Sequence, residues 1–64
     1  MNSNEIVIEN MNRIGDLYKA LGALTEMRER EEDWDIRGSY NRAIIGIEDA
    51  IENLNYVNKA LEGC

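Results

Sequence analysis

Two heptad seams leave this proline-free chain few folds to choose from: Ile14, Leu17, Leu21 and Leu24 in its first half, and Ile44, Ile47, Ile51 and Leu54 in its second. Apolar side chains alternating three and four residues apart form one stripe along an α-helix, whereas a strand would need a period of two. The seams predict an all-α fold with helices over about 4–31 and about 39–62, joined by a turn over about 32–38. A short connection makes neighbouring helices antiparallel. Residues 1–64 are therefore expected to form one domain, a two-helix antiparallel hairpin of coiled-coil character.

Local signals support both helices. Asn2 or Asn4 can cap the first, with Glu5 in the first turn, where the helix dipole favours a carboxylate. Its apolar face runs through Val7, Met11, Ile14, Leu17, Tyr18, Leu21 and Leu24. Beyond Leu24 the seam positions fall to Arg28 and Glu31, so helix propensity persists while apolar burial is expected to end. Gly38-Ser39 is the turn-like dipeptide of the middle, and Ser39 is the expected N-cap of the second helix; an earlier start capped by Asp33 is the competing reading. The second face continues through Tyr40, Ala43, Ala50, Val57 and Leu61, and the helix closes with Lys59 in its last turn and Gly63 as cap. Asn58 interrupts the seam. A polar residue there either fixes register or is exposed by fraying of the helix end, and fraying is the expectation. Gly15 and Gly22, seven residues apart beside the first seam, are either a site of close backbone approach or two tolerated glycines.

A chain of 64 residues has room for a thin core only. The usual supports of small folds are missing from the sequence: Cys64 is the sole cysteine, it is terminal, and no histidine is present to share a zinc site with it. Ile8, Ile36, Ile45 and Tyr56 lie off the main seams, which is more apolar surface than a hairpin can cover. A homodimer closing into an antiparallel four-helix bundle, with the two seams as its core, is the expected solution, and a swapped or parallel arrangement buries both stripes equally well.

Thirteen acidic against seven basic side chains give a formal charge of −6, which opposes direct contact with a phosphate backbone. The longest purely apolar stretch, Ile6-Val7-Ile8, is far short of the roughly 20 residues that span a bilayer. Residues 1–5 carry no basic charge and no apolar segment of signal-peptide length follows. Neither nucleic acid nor membrane is an expected partner, and a cytoplasmic location is expected, in the host cell if the chain is phage-encoded.

Without histidine there is no base for a nucleophilic triad, and the five glycines are too scattered to form a phosphate cradle. Carboxylate pairs at helical spacing do occur: Glu26 with Glu29, Glu29 with Glu32, and Asp49 with Glu52. An ExxE pair followed by ExxD on facing helices is similar to the divalent-metal site of the all-α, MazG-like nucleotide pyrophosphohydrolases. The resemblance implies metal-dependent hydrolysis as an alternative function. It departs from that pattern in its second pair, reversed to DxxE, and in length, and with Ile47 and Ile51 facing the core Asp49 is directed outward. No catalytic residue, metal ligand or cofactor is assigned, and the chain is expected not to be an enzyme.

The segment from Glu26 to Asp35 remains. It joins Glu26, Glu29, Glu31, Glu32, Asp33 and Asp35 to two arginines and the single Trp34. Two readings compete: a solvated helix end with Trp34 folded back as a lid, or a negative tip with an aromatic anchor for a basic groove on a larger protein. The second makes the chain a small acidic interaction module. Its sharpest form is an inhibitor that places carboxylates where phosphates would lie on a nucleic-acid-binding surface, as small proteins of phages and mobile elements do against host defence; a structural or adaptor bundle is the plainer form.

Overall fold

A computed structural model describes residues 2–63, and among them the secondary structure is helical. Helix α1 spans Ser3–Arg30 and α2 spans Trp34–Glu62. The two pack side by side into a rod of 47 × 15 × 13 Å. No helix of the described residues is long and apolar enough to cross a membrane.

Each helix starts where its capping chemistry is best. The Asn2 side chain accepts the Glu5 N–H at 2.9 Å, satisfying one of the donors that the first turn of α1 leaves free. At the other end of α2, the Gly63 N–H bonds the Lys59 carbonyl at 3.1 Å. Gly63 sits at φ −76°, so the left-handed freedom of glycine is not used there. Cys64 lies outside the described residues.

The chain reverses sooner than the sequence predicts. Only residues 31–33 connect the helices, and α2 is capped by Asp33 rather than Ser39. Asp33 Oδ1 accepts from both Asp35 N–H, at 2.9 Å, and Ile36 N–H, at 3.1 Å. A carboxylate holding two orphan donors at the positive end of the helix dipole outweighs the roughly 1 kcal/mol that Gly38 costs inside a helix. Ser39, one turn further in, instead accepts a hydrogen bond from Arg42.

Two side-chain bonds fix the register. Arg28 donates to Asn41 at 2.9 Å near the turn, and Asn10 donates to Asn58 at 2.9 Å near the open end. Eighteen residues back along α1 thus correspond to seventeen forward along α2, an antiparallel pairing maintained over nearly the full length. In heptad terms, α1 presents Val7, Ile14, Leu21 and Arg28 at a and Asn10, Leu17, Leu24 and Glu31 at d. Helix α2 presents Ile44, Ile51 and Asn58 at a and Tyr40, Ile47, Leu54 and Leu61 at d.

Burial along these seams is uneven. Among the described residues Val7, Ile44 and Ile51 are the buried apolar ones, while Ile14, Leu17, Leu21 and Leu24 on α1 and all four d residues of α2 are only half-buried. Asn58 is 7% exposed. It is a core residue, not a frayed end, because Asn10 satisfies its carbonyl oxygen and its amide faces the Val7 carbonyl at 3.5 Å. Helix packing also continues past Leu24. Arg28 and Glu31 occupy the next seam positions half-buried, so the contact turns polar there instead of ending. No atom lies within 4 Å of where a Cβ would stand on Gly15 or Gly22, so neither glycine serves a close backbone approach within the hairpin.

Candidate partner-binding site

The tip of the hairpin is built from the end of α1, the connection and the first turns of α2. Glu31 and Asp33 both hold extended backbone, at ψ 127° and 124°, on either side of Glu32. Glu31 takes part in the reversal twice: its N–H bonds the Arg28 carbonyl at 3.2 Å, and its carboxylate accepts the Asp33 N–H at 3.1 Å. Two of the six acidic side chains singled out in the sequence therefore shape the turn itself.

The others differ in their surroundings. Glu26 is paired with Arg30 at 2.7 Å, one helical turn on, and Glu29 with Arg28 at 3.3 Å. Such exposed pairs add little stability but neutralise part of the local field. Asp35 lies in the first turn of α2, where it complements the helix dipole. Glu32, at the apex of the connection, is exposed. All six carboxylates are brought to one end of the molecule: Glu26 and Glu29 face arginines, Glu31 and Asp33 hold backbone N–H groups, and Glu32 and Asp35 are exposed.

Trp34 occupies the first position of α2 and is 89% exposed. The lid reading does not hold. Its indole stands beside a concavity of about 330 Å³ lined by Trp34, Arg37, Gly38 and Asn41. Asn41 is tied to α1 through Arg28, whose side chain retains 28% exposure. The hollow is thus lined by the Arg37 guanidinium and the Asn41 side-chain amide beside the indole. Sequence reasoning missed Arg37 and Asn41 as neighbours of Trp34. The available signal was positional, since Trp34, Gly38 and Asn41 are spaced four and three apart on one helical face.

The carboxylate pairs that resemble a pyrophosphohydrolase site do not converge. The Arg28–Asn41 bond sets Glu29 near the level of Tyr40, whereas Asp49 and Glu52 lie about ten residues further along α2, roughly 15 Å away at 1.5 Å per residue. Among the described residues no three acidic or thiol side chains group closely enough to hold a metal ion. Comparison of the chain with protein families, curated proteins and solved structures finds no match.

Proposed function

We propose that the chain is a small acidic, non-enzymatic interaction module that acts in the cytoplasm, pairs with a second copy as a four-helix bundle, and docks by its tip onto a basic surface of a larger protein. The observation that carries this reading is Trp34: a tryptophan 89% exposed at the end of a rigid two-helix rod, bordered by carboxylates. A large aromatic held in solvent gains free energy only when a partner covers it, and tryptophan is over-represented among the residues that dominate binding energy. Carboxylates around it steer encounter with a positive surface and confer salt dependence on the association rate. A surface of that kind is typical of nucleic-acid-binding proteins, where carboxylates of the tip would stand in for phosphates.

Affinity capture from the native host, with wild type and with a Glu29→Lys/Glu32→Lys variant, tests the reading. Neither side chain caps a helix, so the reversal keeps the fold. Capture of a partner that the variant fails to bind, and that nucleic acid displaces, supports an inhibitor of nucleic-acid binding. Displacement by neither salt nor nucleic acid would leave the adaptor role instead. Equal capture by both chains would remove the tip as the docking site.

A further inference from the structure

The two flanks of the hairpin differ in how continuous their apolar positions are. On α2 the a residues Ile44, Ile51 and Asn58 are buried against α1, while the d residues Tyr40, Ile47, Leu54 and Leu61 are half-exposed. Helix α2 therefore leans its a side inward and leaves its d side open. The positions next to d on a helical wheel, the g positions, are Ile36, Ala43, Ala50 and Val57 on α2, and on α1 the same flank carries Ile6, Ala20 and Met27 with Arg13 as its one charged residue, ion-paired to Glu9 and Asp16. A largely apolar groove of about 260 Å³ lined by Leu24, Ile36, Ser39, Tyr40 and Ala43 lies on this flank near the tip. The opposite flank, beside the a residues, carries Trp34, Asn41, Glu48 and Asn55 on α2 and Met11, Tyr18 and Thr25 on α1, so its exposed apolar side chains are interrupted by polar ones.

We infer that the d/g flank is the face on which a second copy of this chain docks, with the two acidic tips at opposite ends of the bundle. This rests on the pairing proposed above and specifies it. Any long face of the 47 × 15 Å rod projects about 700 Å², so full coverage of one face is on the scale of the roughly 800 Å² that each partner of a stable complex contributes. Small alanine side chains along its middle allow helices of the two copies to approach, and apolar a, d and g positions together give the broad stripe of a four-helix bundle. Charge favours opposed tips, because the open end, with Glu5, Glu9, Glu52 and Glu62 against Arg13 and Lys59, is less acidic than the tip. Six carboxylates and three arginines lie between Glu26 and Arg37, so two tips side by side would repel, whereas opposed tips are separated by the length of the rod, several Debye lengths at physiological salt. Opposition also sets the groove near one tip against the open end of the other copy, where Ile6 and Val57 stand. The assembly is then bivalent, with one Trp34 at each end and both on the flank that the second copy leaves free.

Two measurements test this. Sedimentation equilibrium of wild type, Ala43→Arg and Asn55→Arg compares the two flanks. Both positions are exposed in a single hairpin, so arginine at either is harmless unless another copy covers it. The expected result is a dimer for wild type and Asn55→Arg, and a monomer or an unfolded chain for Ala43→Arg. An intact Ala43→Arg dimer overturns the choice of face while leaving dimerisation standing, and a monomeric wild type overturns both. Spin labels at Glu32→Cys in a Cys64→Ser background then report tip-to-tip distance. A separation approaching the 47 Å rod length supports opposed tips, and one near its 15 Å width overturns them.

Discussion

Asn10 and Asn58 join the helices side chain to side chain at 2.9 Å, in the layer next to the buried Val7. The bond places two amides in a seam otherwise filled by Ile, Leu and Val, and only one antiparallel register lets them meet. Shifting either helix by one heptad would bury Asn58 against Leu17 or the chain end. A polar residue at an a position characteristically lowers stability while fixing register.

Single and paired replacements should therefore act in opposite directions. Asn58→Ala strands Asn10 and opens a small void, and should cost about 1–2 kcal/mol. Asn10→Ala leaves the buried Asn58 carbonyl oxygen without its partner and should cost a similar amount, although Asn10 itself is only half-buried. Replacing both by Leu removes the polar burial altogether and should raise the urea midpoint, with register losing its definition. Denaturation of wild type, the two single alanine variants and the double alanine variant as a double-mutant cycle gives the coupling, expected near ~1 kcal/mol. A coupling indistinguishable from zero would mean that the bond does not persist in solution.

The cap of α2 separates two starts that the sequence offered. Asp33→Ala removes acceptors for the Asp35 and Ile36 N–H groups and should destabilise the hairpin by about 1–2 kcal/mol, whereas Asp33→Asn should retain most of the cap. Ser39→Ala, one turn inside the helix, should change stability by less than about 0.5 kcal/mol. Thermal unfolding followed by circular dichroism reads all three. A larger loss at Ser39 than at Asp33 would restore the later helix start.

These residues also mark how far the sequence was legible. The two helices, their antiparallel pairing and the Asn2 cap follow from a period of about 3.5 and from capping chemistry, both local properties. The turn was misplaced because Gly38-Ser39 resembles a loop in composition, while the decisive bonds, from Asp33 and Glu31 to backbone N–H groups, depend on where the chain bends. Asn58 was misjudged for a related reason. An asparagine near a helix end looks like fraying until its partner, 48 residues away on the other helix, is known. At the tip, composition located the six carboxylates and Trp34, but their division between shaping the turn and facing solvent needed the geometry.

Trp34 should matter for binding and not for folding. With 89% of its surface in solvent, Trp34→Ala should leave the unfolding free energy within about 0.5 kcal/mol of wild type. A captured partner should bind the variant more weakly by about 2 kcal/mol or more, roughly thirtyfold. As the only tryptophan, Trp34 reports directly: its emission should resemble that of free indole in the isolated chain and move to the blue on docking. Unchanged emission on binding would place the docking surface elsewhere.

Gly15 and Gly22 test the helical faces from the opposite side. Neither has an atom within 4 Å of the place a methyl group would take, and both are exposed interior residues of α1. Alanine at each should stabilise the helix by about 0.5–1 kcal/mol, through fewer unfolded conformations and better helix propensity. Both lie two positions round the wheel from the seam, beside Ile8, Met11 and Tyr18, and away from the flank that carries Ala20 and Met27. If the second copy docks on that latter flank, the double variant Gly15→Ala/Gly22→Ala should be more stable and equally dimeric, as urea denaturation and sedimentation together would record. Were the glycines instead the point of close approach between copies, two added methyl groups would weaken association while leaving helix propensity improved, and the dimer would dissociate at higher concentration than wild type.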